Sequence, residues 1–299
     1  MGVRAVVVAY FPDPDRLHAL CDELHAQGAN VVVIDNTPPM STVVPSLALN
    51  ARWLSQGGNS GIASAHNRGI REALREGYRH VLLMDQDSQP EPDMLARLLA
   101  AERALLAAGR RVAAVAPVFD EPRQRVASHF IRLEGWRIRK LCCVDREQRI
   151  AADYVISSGC LIRTEVLRDV GEMDDSLFID YVDIEWGLRA LMRGYRCFGV
   201  CAAHMRHELG EPPAGLPFSR HKRYPVHSPL RHYYLFRNAL LLYRRDYVPL
   251  AWKLNDAWRL VLKFGFYSLV TPPRLSHFRM MLLGVWHGLR GRAGGLRAE

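Results

Sequence analysis

The stretch HVLLMDQDSQPEPD, residues 80–93, carries an apolar run straight into two carboxylates two residues apart, Asp85 and Asp87. A continuous apolar run suits a strand buried on both faces. In an open α/β sheet, ligands gather at the carboxyl ends of such strands. Two acidic side chains at one tip repel unless something cationic joins them. Flanking segments repeat the pattern. RAVVVAYF (4–11), NVVVIDNT (30–37) and RVAAVAPVF (111–119) read as further strands, the second ending at Asp35. Between them, residues 13–28, 61–77 and 92–109 have apolar residues at helical spacing, with Gly28, Gly77 and Gly109 as stops. Strands alternating with amphipathic helices predict an α/β fold: a mostly parallel, Rossmann-like sheet with helices on both faces.

The second half is less regular. Residues 125–135 and 136–145 alternate like a solvent-facing hairpin. Residues 164–171 read as a short helix with Thr164 as N-cap, and 183–194 as a helix stopped by Gly194. The Pro- and Gly-rich segment 211–225 reads as a boundary. We expect a catalytic domain over 1–215, with a nucleotide half of about 1–120 and an acceptor half of about 121–215. A basic, aromatic helical extension follows over 216–299.

The chain has 299 residues, 49% hydrophobic and 24% charged, and a net charge of +9. That excess suits an anionic partner such as a phosphate or an anionic membrane face. No run of about 18 uncharged apolar residues predicts a membrane span. The N-terminus lacks the long apolar core of a signal peptide. Six cysteines occur without a CxxC pair, so neither a zinc site nor a disulfide framework is expected, and the composition suits a reducing cytoplasm. The extension mixes Trp252, Trp258, Phe264, Phe266 and Tyr267 with Lys253, Arg259 and Lys263. Such helices either lie on a membrane surface or bury their aromatics on the catalytic domain.

Two carboxylates at a strand tip suit a hard cation, Mg²⁺ or Mn²⁺, which takes oxygen ligands and keeps phosphate oxygens in its shell. An Asp-x-Asp alone equally suits helix capping. The tract GGNSGIASAHNRG (57–69) sets Asn59, Gly61 and Asn67 around a helix start, where a backbone can approach an anion closely. It matches neither a Walker loop nor GxGxxG.

With VVVAYF (6–11), VVVIDN (31–36), GGNSGIASAHNRGI (57–70) and LLMDQDS (82–88) in that order, the chain resembles the inverting family 2 glycosyltransferases of GT-A fold. Residues 157–197 and HELG (207–210) resemble the family's acceptor-side segment. DQDS, FIDYVDIEW (178–186) and RHYYLFRN (231–238) resemble the bacterial rhamnosyltransferase branch. The resemblance covers about residues 3–243. It implies L-rhamnose transfer from dTDP-L-rhamnose to a lipopolysaccharide or lipid-linked glycan, at the cytoplasmic face of the inner membrane. A UDP- or GDP-sugar is the alternative donor. Ala9, Tyr10, Asp35, Asn59, Gly61, Asn67 and Asp85 would line the nucleotide-sugar pocket. Asp85, Asp87 and His207 would bind the metal, with His204 as a competing histidine; Asn67 reads equally as a buried helix amide.

Inverting transfer needs one carboxylate to take a proton from the acceptor hydroxyl. Asp183 occupies the family's catalytic position, with Asp180 as fallback. A plain N-cap role for Asp183, just before its helix, is the competing reading. Val182 stands where the commoner motif has glutamate. Asp180, Glu185, Arg231 and Arg237 are placed on the acceptor or diphosphate side. A sugar nucleotidyltransferase is disfavoured because AYFPDPD (9–15) has no glycine-rich phosphate loop. A basic adaptor without activity is disfavoured because all the acidic residues are retained and no nucleic-acid module is present.

Overall fold

The computed structural model describes residues 2–39, 50–121, 126–127, 129–207, 214–216, 219–224 and 227–296. In chain order the elements begin β1 (Val3–Ala9), α1 (Pro14–Ala26), β2 (Ala29–Asp35), β3 (Ala51–Ser55), α2 (Ile62–Arg75), β4 (His80–Asp85), β5 (Ser88–Pro90), α3 (Met94–Ala107) and β6 (Val112–Glu121). There follow β7 (Val126–Ala127), β8 (Phe130–Glu134), β9 (Arg137–Leu141), β10 (Arg149–Ala152), β11 (Cys160–Arg163), α4 (Thr164–Val170), α5 (Val182–Met192) and β12 (Arg196–His207). The chain ends with β13 (Ala214–Leu216), β14 (Ser219–Tyr224), α6 (Pro229–Tyr243), α7 (Leu250–Leu269) and α8 (Arg274–Leu289).

The main sheet runs β10-β12-β6-β11-β4-β1-β2-β3. Its β4-β1-β2-β3 half is parallel, which sets the ends of β2 and β4, Asp35 and Asp85, on either side of the β1 tip. β11 runs antiparallel to β4 and β6, so the sheet is mostly parallel with an antiparallel strand inserted in its middle. Four residues, CLIR, are too short to show a period. The hairpin forms as expected, as β8 and β9.

Alternation along β1 divides the core. Val6 and Val8 face the layer that includes Ile70 of α2, while Val7 faces Leu17 and Leu20 of α1 and Leu98 of α3. Each such fully buried side chain contributes about 1.5–3 kcal/mol relative to exposure. Gly69 lets α2 settle on β1, since a Cβ there would lie 2.2 Å from Val6 Cγ1. Buried residues of the last three helices, including Phe236, Leu242, Trp252 and Met281, join the α2 layer. Of the two readings of the extension, packing on the domain is therefore present on its inner faces.

Two expectations need correction. Thr164 is the first helical residue of α4, not its cap; its hydroxyl donates to the Tyr78 carbonyl at 2.9 Å. Cys143 and Cys201, 58 positions apart, form a disulfide. The antiparallel register of β10 on β12 puts Arg149 opposite Val200 and brings the loop after β9 beside Cys201. Cysteine spacing along the chain carries no trace of that register.

Candidate active site

The site is built where three tips meet. At the end of β2, Asp35 is fully buried and one carboxylate oxygen accepts from the Thr37 N–H at 2.9 Å. Among the described residues its other oxygen has no hydrogen-bond partner. An unmet buried acceptor costs about 1–3 kcal/mol, so a donor from a bound base or ribose has a place to act. Ala9 is buried at the β1 tip, and its carbonyl accepts from Asn36 at 2.7 Å. Tyr10 is exposed, and Gln86 bonds both its N–H (2.6 Å) and its carbonyl (3.1 Å), tying the β1 tip to the acidic turn.

Asp85 and Asp87 flank that turn. The Asp85 N–H donates to Ser158 Oγ at 3.1 Å, and Ser158 Oγ lies 2.7 Å from Ser88 Oγ. Ser158, just before the neighbouring strand β11, thus fixes the turn, a role its place in SSGC does not announce. Strand pairing sets His207 opposite Ser88, next to Asp87 along the chain. The His207 side chain lies outside what is described. His204 is opposite Val118 on another edge of the same strand. Among the described residues no group of three or more His, Cys, Asp or Glu side chains is arranged to hold a metal. Asp85 and Asp87 still supply hard oxygen donors that suit Mg²⁺ or Mn²⁺, and the negative potential at the tip reaches Asp183.

Asp183 is the second residue of α5. The cap position is Tyr181, and Asp183 accepts from the adjacent Ile184 N–H at 2.8 Å, so the N-cap reading is replaced. Its carboxyl borders a small apolar cavity lined by Leu83, Ile162, Met173 and Trp186. Loss of water there, reinforced by the charges of Asp180 and Asp85, pushes its pKa up to about 6. A carboxylate in that range can hold a proton and release it near neutrality. Asp180 pairs with Arg231 through contacts of 3.2 Å.

Four assignments change. Asn67 is a buried amide: it donates to the Met173 carbonyl and to Asp175, and accepts from the Met173 N–H. Gly61 serves a close approach, but to Phe178. A Cβ at Gly61 would lie 2.6 Å from the Phe178 carbonyl oxygen, which accepts from the Ile62 N–H at 2.8 Å. The α2 N-terminus is therefore satisfied within the protein, and Asn59 caps the turn by accepting from Gly61. Glu185 is buried and bound to Arg189 at 2.7 and 2.9 Å and to Tyr247. Arg237 is also buried, donating to Asn238 and the Leu177 carbonyl. Both are engaged by partners within the protein. Polar residue type marked them, but their use is decided by near partners, Arg189 and Asn238, together with Tyr247 and Leu177 about 60 positions away.

Residues 5–171 match the model of glycosyl transferase family 2. The chain belongs to that family. It is 32% identical over 306 residues to the dTDP-rhamnosyl transferase RfbF of Shigella flexneri, covering 99% of this chain and 98% of the relative. An uncharacterized protein of Mycobacterium tuberculosis is 27% identical over 228 residues, 73% of this chain and 78% of that one. The structure of S. aureus TarS 1-349 in complex with UDP-GlcNAc aligns with a TM-score of 0.58 at 14% identity, over 98% of this chain and 82% of that chain. GalNAc-T7 with UDP, GalNAc and Mn²⁺ aligns at 0.55 and 11% identity; this chain spans 90% of its own length and 56% of that chain. These likenesses establish the GT-A fold. The family 2 enzyme carries its Asp-x-Asp within the matched segment, whereas Asp183 and all of α6–α8 lie beyond it.

Two residues escaped the sequence reading. Asn238 donates to the carbonyls of Leu177, Ile179 and Asp180 at 2.8, 2.6 and 3.0 Å. Asn36 bonds Gly61 and Ser60, joining the β2 tip to the glycine tract. RHYYLFRN and VVVIDN contain both, but an asparagine in a motif does not reveal which carbonyls it will meet.

Proposed function

We propose that this glycosyltransferase moves L-rhamnose from dTDP-L-rhamnose to a hydroxyl of a cell-surface glycan, with inversion and with help from a divalent cation. The lipopolysaccharide core, an O-antigen or a lipid-linked oligosaccharide is the acceptor class, and the cytoplasmic face of the inner membrane is the place. The observations that carry the reading are Asp35 and Asp85 at the two strand tips flanking β1 and a buried, proton-accepting Asp183 that feels the charge of Asp85. The name of the Shigella relative supports the sugar.

In this reading residues of about 1–120 hold the donor and 121–215 the acceptor. Asp35 takes a donor group of the nucleoside on its unmet oxygen. Asp183 accepts the proton of the acceptor hydroxyl as that oxygen attacks the anomeric carbon from the face opposite the diphosphate. One displacement inverts the centre, as in the activation half of inverting hydrolysis. Asp85, Asp87 and His207 would hold Mg²⁺ or Mn²⁺, which when bound supplies Lewis-acid support to the leaving diphosphate. Arg231 holds Asp180 beside the base.

A screen of nucleotide sugars tests it. Turnover should be highest with dTDP-L-rhamnose, cease in EDTA and return with Mg²⁺ or Mn²⁺. dTDP should raise the melting temperature more than UDP or GDP, because a ligand bound only by the folded state stabilises by mass action, about 2.7 kcal/mol at a hundred times Kd. A larger shift with GDP would overturn the rhamnose assignment, and full activity in EDTA the metal assignment.

A further inference from the structure

The last two helices bury one side and expose another. In α7, Trp252, Asp256, Leu260 and Tyr267 are buried. Leu254, Trp258, Leu262 and Leu269, at intervals of four, four and seven, are each more than half exposed. In α8, Met281, Gly284 and Gly288 pack inward, with a Cβ at Gly284 only 2.4 Å from the Tyr233 carbonyl oxygen. Leu275, Leu282, Trp286 and Leu289 recur outward at 43–61% exposure. The two outer stripes join where the exposed Phe278 ring meets Phe264 of α7, 5.6 Å between centroids. A continuous apolar face of this size is unusual on a soluble surface without a partner.

Charge selects the partner. Residues 257–298 contain seven Lys or Arg and no Asp or Glu. Arg259, Arg274, Arg279 and Arg290 are exposed along the same helices. Arg290 lies over the Trp286 ring at 3.9 Å, the arrangement of an aromatic at headgroup depth beside a cation. Apolar stripes with basic borders lie in the plane of an anionic bilayer, and among the described residues no helix is long and apolar enough to cross one.

We propose that the outer face of α7 and α8 docks the enzyme on an anionic phospholipid surface. The inner face of α7 then acts as a support for the acceptor side. Asp256, half a turn from Trp258, accepts from the Tyr181 hydroxyl at 2.8 Å, and Tyr181 precedes Asp183 by two residues. A seated α7 brings that loop to the bilayer, where a lipid-linked hydroxyl would arrive. This last step rests on the transferase reading; the docking does not.

Sedimentation of the full chain with vesicles tests it. The protein should pellet with phosphatidylglycerol–phosphatidylethanolamine vesicles, less as salt rises, and stay in solution with phosphatidylcholine. Trp258→Glu with Leu262→Glu should lower partitioning at least roughly tenfold, with the dTDP-induced rise in melting temperature unchanged as proof of folding. Equal pelleting by the double variant, or none by the wild type, would overturn the docking. So would light scattering that shows a dimer which this variant splits, since a second copy would then cover the face. If dTDP gives the wild type no shift while anionic vesicles bind, the donor reading fails and the docking stands; circular dichroism then reports folding.

Discussion

Asp183 has two requirements to satisfy: it must be ionised when the acceptor arrives, yet basic enough to take a proton from it. Burial pushes its pKa up to about 6, close enough to neutrality for both. A cation at Asp85 offsets one of the charges that raise it, so kcat/KM should fall below an acid limb at or under about pH 6. Asp183→Asn keeps the shape but takes no proton. We expect kcat to fall by roughly 10²–10⁴ and the limb to vanish, with dTDP affinity within a few-fold. Turnover per folded molecule close to wild type would transfer the role to Asp180. Strand tips and motif order mark Asp85, Asp87 and Asp183 before any partner is known. Glu185 and Arg237 differ: ionisable groups in the same segments, each has partners that only the folded chain supplies.

The element that carries the base is strained. Phe178, Asp180 and Tyr181 all have positive φ, between 63° and 66°. Non-glycine residues there cost on the order of 1–3 kcal/mol each, and they persist only where the surroundings hold them. The holder is α6: Asn238 donates to the carbonyls of Leu177, Ile179 and Asp180 in and beside this loop, Arg237 reinforces it at Leu177, and Tyr234 stacks on Phe178 at 4.9 Å. β1, β2, β4, β6 and the three helices of the first half were readable from their periods, whereas the short β3 and β5 were not; a four-residue loop has no period, and its conformation is set from about 60 positions away. We expect Asn238→Ala to cost about 1–3 kcal/mol of stability through unmet buried carbonyls. It should also lower kcat at least roughly tenfold, at nearly constant dTDP affinity, and shift the acid limb. A purely structural asparagine would lower the melting temperature and leave kcat and the limb, measured on folded protein, where they were.

Across the whole molecule, buried histidines outnumber the raised carboxylates and set how stability responds to acid. His66 is fully buried with neither ring nitrogen bonded, and burial lowers its pKa to about 4. In the C-terminal helices His232 faces His277 at 2.9 Å between Nδ1 atoms. Burial lowers His232 to about 3 and His277 in the same direction, and it lowers nearby His227 to about 4. Each is neutral when folded and protonates near pH 6.5 when unfolded. The unfolded chain therefore binds more protons between pH 6.5 and about 4, and stability is lost as pH falls through that window. Asp183 acts the other way: its raised pKa means the folded state holds a proton more tightly, a gain as pH falls through about 6. Asp153 is raised too, by burial. Four groups oppose two, and His66 lies in α2 whereas His232 lies in α6. We expect the melting temperature to drop steadily from pH 7 to pH 5, as a single transition. His66→Phe should flatten that slope without moving the acid limb of kcat/KM, whereas a melting temperature unchanged down to pH 5 would show that these rings are hydrated rather than buried.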